Sequence, residues 1–135
     1  MYVRKDGKLE QDTFSHEQCL LLTNGKEWAL VAGCAYNGIL NILDRAVEVC
    51  QEKPKIVVSG FHTFNPPTGT YESDALIDEL GEELKQWTDT EFHTCHCTGN
   101  VAYQKLKEVL DNKLHYLSTG QQIELLEEIE GYILY

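Results

Sequence analysis

Apolar positions in this chain recur with two different periods, and the switches between them lay out its elements. Cys19-Leu20-Leu21-Leu22-Thr23 and Trp28-Ala29-Leu30-Val31-Ala32 are short apolar runs. Asn24-Gly25 between them is a strong tight-turn signal, so the two runs predict a β-hairpin. From about Asn37 the spacing changes. Ile39, Ile42, Leu43, Ala46, Val47 and Cys50 fall three or four apart and predict one apolar face of a helix. Pro54 stops that helix, because proline has no N–H to continue the ladder. Lys55-Ile56-Val57-Val58-Ser59 is rich in β-branched residues without strict alternation, the pattern of a buried strand.

A loop with Pro66, Pro67 and Gly69 leads to a second amphipathic helix from about Glu72, with a stripe of Leu76, Leu80, Leu84 and Trp87. Gly81 inside it weakens the helical pattern. Thr90–Thr94 predicts a strand and Cys95–Gly99 a turn, with Thr98 placed to cap a third helix through Ala102, Leu106, Val109 and Leu110. Leu114–Leu117 and Gln122–Leu125 are candidate terminal strands, while Glu127–Tyr135 is compatible with helix or strand. Residues 1–13 are polar and predict only a lead-in strand or arm. The order β-β-α-β-α-β-α-β implies an α/β layered architecture in a single domain, residues 1–135.

Charge narrows the partners. With 22 acidic against 11 basic residues the net charge is −11, a surface that repels phosphate backbones and anionic lipid, so neither nucleic acid nor membrane is an expected partner. No apolar run reaches the roughly 20 residues that cross a bilayer, and Met1–Lys8 has no apolar signal-peptide core. The 5 cysteines are odd in number, which favours reduced thiols in a cytoplasm over a disulfide framework. Cys19 and Cys50 sit within apolar patterns and are expected in the core.

Histidine and the remaining cysteines gather at particular points of this plan. His16 precedes the first hairpin strand, Cys34 follows the second, His62 follows the buried strand, and His96 lies between Cys95 and Cys97 after the next one. Three of these four segments lie just beyond a strand's carboxyl end, where α/β folds place their ligands. Imidazole and thiolate suit Zn²⁺ and related transition metals, and His16, Cys34, His62 and His96 are candidates to converge around one. Thr98-Gly99-Asn100 at a helix start is either a plain cap or a weak phosphate-binding signal.

Phe14-Ser15-His16-Glu17-Gln18, an apolar hairpin, Gly33-Cys34 with Gly38-Ile39 and Asn41-Ile42, then Gly60-Phe61-His62 and His96-Cys97-Thr98-Gly99 occur in that order. Together they resemble one branch of the metallo-β-lactamase-fold hydrolases, the branch of the dihydropterin-ribofuranosylaminobenzene-phosphate synthase-like proteins. The resemblance implies half of an αββα sandwich, its C-terminal half. It implies a divalent transition metal, zinc first with manganese or iron as alternatives, held by His16, Cys34 and His96, with His62 as substrate contact or proton donor. The reaction implied is hydrolysis of a small phosphorylated or ester-bearing metabolite by a metal-activated water.

Two departures shape the expectation. The branch reads Gly-Cys-Ser-His-x-Gly where this chain reads Gly33-Cys34-Ala35-Tyr36-Asn37-Gly38, and a neutral phenol with a pKa of about 10 is a poor ligand. The His-x-His-x-Asp-His motif of the family's N-terminal half is absent from these residues. Catalysis therefore requires completion by a homodimeric partner or by the missing N-terminal half, and the alternative is a non-catalytic binding or assembly module.

Overall fold

The computed structural model describes residues 2–135; Met1, at the start of the expected domain, lies outside the described residues. The predicted hairpin is present as β3 (Cys19–Thr23) and β4 (Trp28–Ala32), which pair antiparallel with Leu21 opposite Leu30. Thr23 and Asn24 close the turn, since their side chains accept the N–H groups of Gly25, Lys26 and Glu27. Helix α1 (Ile39–Cys50) buries Ile39, Ile42, Leu43 and Ala46, the face that the spacing predicts. Strand β5 (Ile56–Val58), helix α2 (Asp74–Lys85), strand β8 (Glu91–Thr94), helix α3 (Asn100–Leu110) and strand β9 (Leu114–Tyr116) follow in the expected order.

The polar lead-in is a hairpin of its own, β1 (Tyr2–Lys5) with β2 (Lys8–Gln11), exposed throughout. The Pro66–Gly69 loop joins two short strands, β6 (Phe64–Asn65) and β7 (Thr70–Tyr71). Gln122–Leu125 is irregular instead of a strand, and the tail forms β10 (Gly131–Leu134), antiparallel to β3. Edge pairing with Leu20 and Leu22 decides that tail, a long-range interaction that local propensity does not encode.

One sheet runs in the order β10-β3-β4-β5-β8-β9, with β4, β5, β8 and β9 mutually parallel. Side chains alternate across it. Cys19, Leu21, Leu30, Val57, Phe92 and Leu114 face the three helices and share one core with Leu43, Ile77, Leu84 and Leu106. Burying each of these aliphatic and phenylalanine side chains contributes about 1.5–3 kcal/mol. On the opposite face Leu20, Leu22, Val31 and Val58 are half-buried, and Tyr132 and Leu134 are 73% and 56% exposed. The irregular segment after β9 crosses part of that face, where Leu125 and Leu126 share a cavity wall with Ile56. The rest of the apolar face is open.

The α2 stripe is rotated from its expected phase. Ile77, Gly81 and Leu84 are buried, whereas Leu76 is 52% exposed. Glycine carries no hydrophobic side chain, so the pattern of large apolar residues could not register Gly81 as a position facing α3. A methyl added there would lie 3.4 Å from Leu106 and 3.5 Å from Val109, ordinary contact distances. Gly81→Ala should therefore raise stability by about 0.5–1 kcal/mol through helix propensity, read as a higher urea midpoint at unchanged slope. A lower midpoint would show that the α2–α3 interface has no room.

Candidate metal-binding site

Topology brings the four chemistry-bearing segments to one edge of the sheet. The parallel strands β4, β5 and β8 end at Ala32, Val58 and Thr94, and Cys19 at the start of β3 pairs with Ala32. Residues 12–18, 33–38, 59–63 and 95–99 therefore gather beyond these ends. Glu17 ties two of the segments together. Its carboxylate accepts the N–H groups of Tyr36 (2.8 Å) and Asn37 (3.0 Å) and the Asn37 side-chain amide (2.7 Å).

Buried hydroxyls fix the other two segments. Thr98 is not a helix cap; Gly99 occupies that position without a side-chain bond. Instead Thr98 Oγ1 accepts the Phe61 N–H at 3.0 Å and pairs with the Thr94 hydroxyl, while its carbonyl accepts the Thr63 hydroxyl at 2.6 Å. Capping competed with burial, and burial won because an unpaired Phe61 N–H in the core would be costly.

Cys34, His96 and Cys97 are brought together, with one donor atom from each within 4.8 Å of the others. A 3-10 turn over His96–Thr98 presents the last two, and the Cys97 thiol points to the Cys34 carbonyl at 3.7 Å. Gly60 makes this approach possible. A Cβ on Gly60 would lie 1.9 Å from Cys97 Sγ and 3.5 Å from Cys95 Sγ. The neighbouring Cys97 thiol lowers the Cys95 pKa to about 6 despite burial, with nearby His96 adding to the effect; Cys95 and burial raise that of Cys97. Two thiols and an imidazole form a donor set that fits zinc and similar metals. Cys97 was not an expected ligand; its place directly after His96, in a turn tight enough to aim successive side chains at one point, was the available signal.

The other two expected site residues stand differently. His16 is outside that group; its side chain is 69% exposed, with Nδ1 3.9 Å from Asp12. Aromatic rings run from it toward the thiols: Phe14 lies 6.3 Å from His16 and stacks on Tyr36 at 4.7 Å, and Tyr36 meets His62 edge-on at 4.6 Å. The nearby Cys34 thiol raises the Tyr36 pKa, keeping the phenol neutral. His62 has a buried Nδ1 without a hydrogen-bond partner among the described residues and a left-handed φ of 50°. Phe14 and Ala35 share that strained backbone region, at φ 52° and 57°. Such strain clusters where function demands a geometry. His62 also lines a cleft of about 390 Å³ with Tyr36, Ile39, Glu72, Leu76 and Leu80, which accounts for the exposure of Leu76. All 5 cysteines are free thiols. Among the described residues no helix is long and apolar enough to cross a membrane.

No protein-family model matches the chain. Its sequence is 22% identical over 125 residues to the 7,8-dihydropterin-6-methyl-4-(beta-D-ribofuranosyl)-aminobenzene-5'-phosphate synthase of Methanocaldococcus jannaschii, covering 92% of this chain and 40% of that protein. Its structure is similar to the crystal structure of a metal-dependent hydrolase of the beta-lactamase superfamily, with a TM-score of 0.78 and 28% identity. That match covers 91% of this chain and 46% of the hydrolase, so the chain spans less than half the length of either relative. A mixed sheet with helices on one face only, matched over nearly its whole length to part of such a hydrolase, has the fold of half a metallo-β-lactamase superfamily protein.

Proposed function

We propose that this chain is the metal-holding half of a metal-dependent hydrolase that acts on a small phosphorylated or ester-bearing metabolite. The observation that carries the reading is the convergence of Cys34, His96 and Cys97 beside a buried, unpartnered His62 nitrogen. Zinc is the metal these donors favour, because thiolate and imidazole are its customary ligands. In such a site a divalent metal supplies Lewis acidity toward a phosphoryl or ester oxygen. His62, at the wall of the adjoining cleft, is placed to contact substrate. His16, at the rim, is available to a second ligand group contributed from outside the chain.

Completion requires a facing layer. Leu20, Leu22, Tyr132 and Leu134 leave an apolar strip that a second copy or the missing half would cover, since exposed apolar patches of this kind mark interaction surfaces. Light scattering on the purified chain separates the two occupants: a homodimer means a second copy, a monomer the missing half.

A second reading, a non-catalytic binding or assembly module, is favoured by the Phe14–Tyr36 stack, which packs Tyr36 where the branch has a histidine. Metal analysis decides between them. The chain stripped with chelator should rebind zinc, and His96→Ala and Cys97→Ala should each weaken it at least about tenfold, as losing even an outer partner of a ligand commonly does. Hydrolysis of a p-nitrophenyl phosphodiester by the completed assembly should follow zinc occupancy. Equal zinc uptake by both variants and wild type, or none by any, would leave the module reading.

A further inference from the structure

We infer that Glu91, His93 and His115 form a second transition-metal site, on the sheet face that the helices leave open. Parallel pairing of β8 with β9 sets His93 directly beside His115. Their ring centroids are 4.7 Å apart and the planes are inclined by 23°. Glu91 precedes His93 by two residues, so strand alternation puts it on the same face, opposite the buried Phe92 and Thr94. One donor atom from each of the three lies within 4.8 Å of the others. None of the ion pairs among the described residues engages Glu91, His93 or His115.

The chemistry selects the cation class. Two imidazole nitrogens and one carboxylate suit Zn²⁺, Co²⁺ or Ni²⁺, whereas Mg²⁺ and Ca²⁺ prefer oxygen ligands. Metal–ligand bonds of about 2.0–2.1 Å put tetrahedral donors roughly 3.4 Å apart, so a modest contraction is required. Glu91 is exposed and can turn to supply it. Three protein ligands leave one coordination position open. No donor is shared with Cys34, His96 and Cys97, and none is a thiol.

That difference in donors makes the two sites separable in one experiment. Cobalt(II) bound through thiolates absorbs in the near ultraviolet by sulfur-to-metal charge transfer, and cobalt bound through nitrogen and oxygen does not. The untagged full chain, titrated with cobalt and followed by absorption and equilibrium dialysis, should bind an equivalent beyond that reported by the charge-transfer band. The His93→Ala/His115→Ala double variant should lose this extra equivalent and keep the band. His115→Gln, a milder change on an edge strand, should weaken the extra equivalent at least about tenfold while leaving the chain folded. Uptake limited to the thiolate-bound equivalent in wild type, or unchanged uptake in His115→Gln, would overturn the site. Loss of the band with the extra equivalent still present would instead count against the Cys34–His96–Cys97 centre alone.

Discussion

Gly99→Ala should destabilise the protein by about 2–6 kcal/mol, from a backbone cost and a packing cost of about 1–3 kcal/mol each, with the upper end reached if Phe64 cannot shift. The backbone at Gly99 has φ 78° and ψ 150°, a region that residues with a side chain essentially do not occupy. A Cβ there would also lie 2.5 Å from Tyr71 Cε1 and 2.8 Å from Phe64 Cβ. Tyr71 belongs to the small β6–β7 hairpin, and its hydroxyl accepts the Val101 N–H at 3.3 Å. The methyl would therefore push apart the hairpin, the start of α3 and the turn that carries His96 and Cys97. Chemical denaturation should show a midpoint far below wild type. A loss under about 1 kcal/mol would mean that the turn relaxes into an ordinary conformation.

Thr98→Val should cost about 2–6 kcal/mol, because it orphans two buried groups at about 1–3 kcal/mol each. Valine is close to threonine in shape but has no hydroxyl, so the Phe61 N–H and the Thr94 hydroxyl lose their partner. Thr98→Ser keeps the hydroxyl and sheds one methyl, at a cost of about 1 kcal/mol. The serine variant should therefore be clearly the more stable of the two. Equal losses would assign the role of Thr98 to its methyl group and remove the polar account of how the Gly60–His62 loop is held. Zinc affinity should drop in the valine variant as well, since Gly60 lies against the Cys97 thiol.

Local patterning carried the helical layer and the central strands. The face Ile39, Ile42, Leu43 and Ala46 lies one helical turn apart in sequence and is buried as that spacing requires. Gly81 escaped notice because it packs by having no side chain, and β10 because its strand character comes from pairing with β3, over a hundred residues earlier in the chain. The same limit applied to the site. Motif order pointed to Cys34 and His96, which the fold unites; Cys97 joins them only through the shape of a 3-10 turn.

Composition and periodicity by themselves determined an acidic α/β layer whose histidines and cysteines fall beyond strand ends, since period and chain order are local properties. Only the tertiary structure decided which donors meet. Strands β4, β5 and β8 run parallel, so residues far apart in sequence end at one edge, and the missing side chain of Gly60 lets two thiols close on the same point. Through-space distance is set by sheet pairing and packing, which no short stretch of sequence encodes.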